Sequence, residues 1–321
     1  MTIQLHSLLT APILFFFLGT LAALIGSDLR IPKSLSKFLA LYLLFSIGFK
    51  GGGGLVYDTW NREVWITLSI GILMAIITPL YLFFFLKKKL KVYDAGALAA
   101  TYGSVSAVTF ITASSYLEDL GISYGSHMLT LMALMETPAI LIGIFLIRIH
   151  TQASNHSTYW KILQETLTSS SIIMLMGSLG IGFITNPQEA QALYPFTVGI
   201  FKGMLLFFLL DIGLEVGKNI KKLKAMKAYI ILLGLLVPIL NAAIGIGLSY
   251  YFKLGIGNSL LLVVLLASGS YIAVPATLRL AVPQANPALY LSASLGITFP
   301  FNLVIGIPIY YHLIKWLMHY Y

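Results

Sequence analysis

Two short stretches hold the residues of this chain that could do chemistry. Thr101-Tyr102-Gly103-Ser104-Val105-Ser106-Ala107-Val108-Thr109 interrupts a long apolar run with small hydroxyl residues, and Ala267-Ser268-Gly269-Ser270-Tyr271-Ile272-Ala273-Val274-Pro275 does the same half a chain later. They share a Gly-Ser-x-x-Ala-Val core at an offset of 166 residues. Where a helix breaks at such a glycine, the half-helix that follows starts with amides that have no partner inside it. A helix start also carries partial positive charge, so a small anion can be held there without a basic side chain. Ser104 to Ser106 and Ser270 to Ile272 would supply these unpaired amides. Gly103 and Gly269 would be the breaks, because glycine adopts dihedrals that other residues resist. The hydroxyls of Ser104, Ser106, Thr109 and Ser270 add donors. Small residues also serve close helix packing in membranes, but their repetition favours a site. Pro275 fits the first turn of the second half-helix.

The candidate cation ligands lie elsewhere. Glu136 stands in an apolar run before Thr137 and Pro138, and an ionisable group at membrane depth points to function, here a cation ligand or a proton carrier. Thr298 and Asn302 occupy the corresponding depth in the second half. With Ser268 they offer neutral oxygens that suit a hard cation such as Na⁺. Asp211 and Glu215 share a helix face near its end, where solvation accounts for them. Lys50 is the counterpart of Glu215, on the opposite side, so no ion pair between them is expected. His127, His150 and His156 lack metal-ligand spacing. The run Gly51 to Gly54 is followed by no Lys-Ser or Lys-Thr, so it is no phosphate loop. Cysteine is absent, and no Ser-His, paired-Asp or metal constellation lies at membrane depth. The chain therefore reads as no enzyme, with no cofactor beyond a coupling ion.

These residues must be positioned by membrane helices. The chain is 58% hydrophobic and 10% charged, with a mean hydropathy of +0.90, whereas about a quarter of a soluble domain's residues are charged. Ten stretches of spanning length follow: Leu8 to Gly26, Ser36 to Gly52, Val64 to Leu86, Asp94 to Tyr116 and His127 to Arg148, then Thr166 to Thr185, Phe196 to Gly217, Ala228 to Phe252, Gly257 to Leu280 and Ala288 to Trp316. The net charge of +9 comes from short clusters between these stretches, so it marks topology and no nucleic-acid partner. Arg30, Lys87 to Lys91, Arg148, Lys161, Lys218 to Lys227 and Arg279 belong to the richer side, which is cytoplasmic by the positive-inside rule. Both termini then face outward across an inner membrane. Met1 to Ser7 has no basic residue, so the first stretch is retained rather than cleaved as a signal. Trp60, Trp65, Trp160 and Trp316 sit near span ends, as interfacial aromatics do.

The halves repeat. Ser46-Ile47-Gly48-Phe49-Lys50-Gly51-Gly52 matches Asp211-Ile212-Gly213-Leu214-Glu215-Val216-Gly217 at an offset of 165, Leu18-Gly19-Thr20-Leu21 resembles Met176-Gly177-Ser178-Leu179, and Thr137-Pro138 resembles Phe299-Pro300. The expected fold is an all-α polytopic membrane protein of ten transmembrane helices in two inverted five-helix repeats, 1–150 and 166–321, joined by a short cytoplasmic linker over 151–165. Helices four and nine are discontinuous. Five spans per unit put the second repeat into the membrane upside down, which is how many secondary transporters build an alternating-access site.

Several segments together resemble the SbtA family of sodium-dependent bicarbonate transporters. They are Ile47-Gly48-Phe49-Lys50-Gly51-Gly52, Tyr102-Gly103-Ser104-Val105-Ser106, Gly121-Ile122-Ser123-Tyr124, Met135-Glu136-Thr137-Pro138-Ala139, Pro275-Ala276-Thr277-Leu278-Arg279 and Pro283-Gln284-Ala285-Asn286-Pro287. The resemblance covers nearly the whole chain in order. It implies a homotrimeric symporter that imports bicarbonate with Na⁺ and is inhibited by a PII-like partner on its cytoplasmic face. The anion position would fall on Gly103, Ser104, Val105, Ser106 and Thr109 together with Ser268, Gly269, Ser270, Tyr271 and Ile272. Two departures stand out: Tyr271 replaces an acidic residue, and the loop from Arg148 to Lys161 is short where other members carry a long insertion. Na⁺-coupled bicarbonate import is the leading expectation. The alternatives are H⁺- or Na⁺-coupled transport of another small anion, such as a short carboxylate, and a sensor that binds an anion without moving it.

Overall fold

The computed structural model describes residues 11–56, 61–151, 164, 168, 170–224 and 228–318. Met1 to Ser7, Trp60, Trp160 and nearly all of the expected linker over 151–165 lie outside the described residues. All described elements are helical, with no strand among the described residues. The first half contains α1 (Ala11–Leu24), α2 (Lys33–Leu55), α3 (Arg62–Leu86), α4 (Val92–Gly103), α5 (Ala107–Asp119) and α6 (His127–Thr151). The second contains α7 (Ser170–Ile184), α8 (Pro187–Tyr194), α9 (Phe201–Lys224), α10 (Ala228–Phe252), α11 (Ile256–Leu266), α12 (Ala273–Ala281), α13 (Pro287–Ala293), α14 (Phe299–Phe301) and α15 (Ile307–Met318). A π turn at Pro195–Gly199 carries α8 into α9, and two more, Ser294–Thr298 and Asn302–Gly306, join α13, α14 and α15 into one long irregular helix.

Seven helical stretches are long and apolar enough to cross a membrane, among them Val92–Asp119, which contains α4 and α5, and Pro287–Met318. Three shorter apolar helices, Ala11–Leu24, Ile173–Ile184 and Ile256–Leu266, lie where the sequence places the other three stretches. The chain is thus an all-α, multi-pass membrane protein. Its long spans tolerate proline where a neighbour satisfies the carbonyl that proline leaves without a donor. Pro238 sits inside α10, four residues after Gly234, and the Thr298 hydroxyl donates to the Gly234 carbonyl at 2.7 Å.

The helices sort into two bundles. In one, α3, α4 and α6 pack together and α10, α11 and α15 pack together, with α5 against α11. In the other, α1 lies along α9 and α2 along α7. Glycines set the second bundle's seams: a Cβ added at Gly48 would fall 2.1 Å from the Ser178 hydroxyl, and one at Gly213 2.1 Å from the Phe16 carbonyl oxygen. Side chains at these positions would push the helices apart, so the spacing Gly-x-x-x-Gly at 48 and 52 and at 213 and 217 is what lets the backbones approach. Two ion pairs tie the bundles together at the end of α5: Lys50 of α2 with Glu118, and Lys202 of α9 with Asp119. The Lys50 partner is thus Glu118.

Candidate functional site

The two interrupted helices meet at their breaks and hold each other there. The Ser106 amide donates to the Ser268 hydroxyl at 2.9 Å, and the Ser270 amide donates to the Thr101 carbonyl at 2.9 Å. Each break thus lends one amide to the other. The second half-helices begin at equivalent positions of the repeat, Ala107 and Ala273.

Breaking a helix in an apolar interior frees carbonyls that must find donors. After α11 all three nearest the break do so through side chains. The Ser268 hydroxyl donates to Leu265 at 3.0 Å, the Asn241 amide to Leu266 at 2.9 Å and the Asn302 amide to Ala267 at 2.7 Å. Asn302 also accepts from the Tyr310 hydroxyl at 3.0 Å. Thr298, besides its bond to Gly234, is hydrogen-bonded to the Tyr102 hydroxyl at 2.8 Å. Since the Thr298 proton goes to Gly234, Tyr102 is the donor. Asn302 and Thr298, expected as cation ligands, are buried with these structural bonds, and neither lines the cavity described below.

The starts of the half-helices differ from the expectation in one respect. The Ser104 amide still bonds back to the Ala100 carbonyl at 3.0 Å, so with the Ser106 and Ser270 bonds above, three of the amides expected to be unpaired are engaged. Ser106 caps α5: its hydroxyl accepts from the Thr109 amide at 3.2 Å and from the Thr109 hydroxyl at 2.8 Å. The Ser270 hydroxyl accepts from the Val274 amide at 3.3 Å. The amides of Ala107 and Val108, in the first turn of α5, have no acceptor within their helix. Gly103 and Gly269 also serve differently from the expectation, since neither has a positive φ. A Cβ on Gly103 would lie 2.2 Å from the Pro79 ring, so this glycine is demanded by close approach to α3.

A cavity of about 50 Å³ lies at the junction, lined by Val105, Ser106, Ala107, Val108, Glu136, Ser270, Tyr271, Ile272 and Ala273, with Ala40, Leu44, Met132, Ala133 and Leu175 closing it from α2, α6 and α7. The space admits water-sized occupants. Of the residues singled out in the sequence, the structure brings Val105, Ser106, Ser270, Tyr271, Ile272 and Glu136 to this wall. Gly103, Ser104, Thr109, Ser268 and Gly269 are buried behind it, where the Ser104 hydroxyl has no hydrogen-bond partner. Glu136 is the one acidic residue of the lining, and its carboxylate has no hydrogen bond or ion pair among the described residues. Groups of three or more His, Cys, Asp or Glu that could hold a metal are absent among the described residues.

Sequence reasoning passed over Ala107 and Ala273. The signal was present, because both are the alanine of the repeated Gly-Ser-x-x-Ala-Val core, and a methyl side chain there leaves the cavity open. The ties across the junction give a first prediction. Ser268→Ala removes the acceptor of the buried Ser106 amide, and stability is expected to fall by roughly 1–3 kcal/mol, read as a lowered melting temperature in detergent.

A protein-family model described as the Na⁺-dependent bicarbonate transporter superfamily matches residues 11–315. No curated protein matches the chain.

Proposed function

The chain belongs to the Na⁺-dependent bicarbonate transporter superfamily, and on that premise we propose that it imports bicarbonate together with Na⁺ through the cavity between its two helix breaks. The carrying observation is that one small void collects the starts of both half-helices and a lone carboxylate, Glu136. In this reading the anion lies against the first-turn amides left free, those of Ala107 and Val108 in α5 and of Ala273 in α12, at helix starts that attract negative charge without a basic side chain. Na⁺ binds at Glu136, with oxygens of the junction as further ligands, and makes the anion tolerable beside a carboxylate.

The architecture proposed with this function is ten spans in two inverted five-helix repeats, 1–150 and 166–321, with both termini outside. Three observations support it. The second half-helices start at Ala107 and Ala273, equivalent positions of the repeat. The pairs α1 with α9 and α2 with α7 exchange when the repeats are exchanged. The glycines of both seams, Gly48 and Gly213, are themselves related by the repeat. Of the residues expected as cation ligands, Glu136 fits the role best. Ser268, Thr298 and Asn302 serve the junction from behind, as the supports of a positioned site do. Assembly as a homotrimer and control by a PII-like partner rest on family membership, and the segment between Arg148 and Lys161 is short.

The test is uptake of labelled bicarbonate into proteoliposomes with and without a Na⁺ gradient. Ala107→Phe fills the void without removing a polar group and is expected to abolish uptake while the protein stays folded. Normal uptake by that variant places the anion elsewhere. Uptake that ignores Na⁺ and follows a pH gradient instead identifies Glu136 as a proton carrier.

A further inference from the structure

A second groove, of about 480 Å³, lies between α3, α6 and α7 and shares Ala133 with the wall of the cavity. Ile76, Leu134, Thr137, Leu141 and Met176 line it, and Leu134 and Met176 are 40% and 37% exposed. Both long helices carry this face to the same end of the bundle. Ile76, Leu80, Phe84 and Lys87 follow one another along α3, and Leu134, Leu141, Phe145 and Arg148 along α6, at spacings that keep to one side of a helix. The rise from Ile76 to Lys87 is about 16 Å at 1.5 Å per residue, close to half of a hydrocarbon core roughly 30 Å thick. Lys87 stands where the two helix ends meet: its ammonium is 3.2 Å from His150 Nε2 and 4.5 Å from the Phe84 ring centroid. His150 Nδ1 lies 2.9 Å from the Leu146 carbonyl oxygen, so Nδ1 donates there and Nε2 accepts from Lys87. An ammonium has three donors, and this contact uses one. Lys88 and Lys89 follow, both exposed. Among the described residues, Lys87, Lys88 and Lys89 make no ion pair with a carboxylate.

We propose that this seam binds an anionic phospholipid, with an acyl chain in the groove between α3, α6 and α7 and the phosphate of the headgroup at Lys87, Lys88 and Lys89. Two observations meet in it. An apolar groove exposed on a membrane-spanning face is matched by hydrocarbon, and lysines just beyond a span attract anionic headgroups. Lysines alone set topology; here the face above them ends in a groove about one leaflet deep. Phe84 and Phe85, 46% and 63% exposed, add apolar surface directly beside the basic end. A second copy of the chain seated in the groove would leave the lysines without a counter-charge unless it brought carboxylates to them. The inference goes beyond transport and does not depend on which ion the cavity takes. Its consequence for transport is positional, because the lipid would touch α3 and α6 of one bundle and α7 of the other, against the Ala133 wall.

The test is thermal melting of the full chain in detergent, titrated with dioleoylphosphatidylglycerol or with dioleoylphosphatidylcholine. The two lipids share their acyl chains and differ in headgroup charge. The anionic lipid is expected to raise the melting temperature by roughly 2–4 °C at several times its dissociation constant, and the zwitterionic lipid by far less. Lys88→Gln with Lys89→Gln is expected to weaken the anionic lipid on the order of 20-fold and to leave the lipid-free melting temperature unchanged, since both side chains are exposed. Leu134→Trp narrows the groove from an exposed position and is expected to weaken the anionic lipid with the lysines intact. Equal stabilisation by the two lipids overturns the proposal, and so does an undiminished anionic preference in the lysine variant. Wild-type lipid affinity in Leu134→Trp removes the tail from this groove and overturns it as well. A change of oligomer size in Leu134→Trp by native mass spectrometry, with both lipid responses intact, gives the groove to a second copy instead. Should Leu134→Trp not fold, Met176→Trp with the same readouts takes its place.

Discussion

Replacing Glu136 with glutamine is expected to lower Na⁺-driven bicarbonate uptake by roughly 100-fold or more, on the scale of removing one partner of a buried charge pair. Glutamine keeps the volume and a carbonyl oxygen, so packing around Met132 and Ala133 is retained and the loss reads out charge. Without the carboxylate, the cation has only neutral oxygens in a site of low polarizability, and the anion loses the counter-charge that the cation brought. Both effects fall on the same transport step. Aspartate at 136 keeps the charge on a shorter stem and is expected to restore part of the Na⁺ dependence. The measurement is initial uptake rate against Na⁺ concentration for the three proteins at matched incorporation. Glu136→Gln with wild-type Na⁺ dependence would remove this carboxylate from the cation site.

The two breaks were legible because chemistry and repetition coincide at Gly103-Ser104 and Gly269-Ser270. Glu136 was legible because a carboxyl in an apolar run has few cheap explanations. What sequence could not supply was the partner of each polar atom. Asn302 and Thr298 have the oxygens of a cation site, and depth alone placed them near it. The structure shows that Asn302 satisfies a carbonyl freed by the break after α11, 35 residues away in sequence, and that Thr298 satisfies one freed by Pro238. Such pairings depend on which helix lies alongside which, and no local pattern encodes that. The same limit explains the amides of Ser106 and Ser270. Each is a free donor within its own half-helix and finds its acceptor on the other one. The constraint on Gly103 is the Pro79 ring rather than a special dihedral, and that neighbour lies in another helix, beyond the reach of a local pattern.

The glycine seams carry the second large effect. A Cβ at Gly52 would fall 2.0 Å from the Leu179 carbonyl oxygen and 2.7 Å from the Phe183 amide nitrogen, both backbone atoms that no rotamer change can move aside. At Gly213 it would meet the Phe16 carbonyl oxygen at 2.1 Å and the Thr20 amide nitrogen at 3.0 Å. Relief requires α2 to separate from α7, or α9 from α1, along the contact. Gly52→Ala and Gly213→Ala are each expected to destabilise by about 1–3 kcal/mol or more, the range of core overpacking. Gly177 gives the control: nothing stands within 4 Å of its Cβ position, and alanine in an open helical site is favoured over glycine by about 0.5–1 kcal/mol. Thermal melts of the three variants therefore separate a seam from a merely glycine-rich helix. Because Gly48 and Gly213 are related by the repeat, and Gly52 and Gly217 likewise, the two seams are expected to fail by similar amounts, and the penalties should add in the double variant, since the pairs share no partner. A Gly52→Ala protein as stable as Gly177→Ala would mean that α2 and α7 are not held in this close approach, and with it the exchange of helix pairs that supports two inverted units would lose its clearest physical ground.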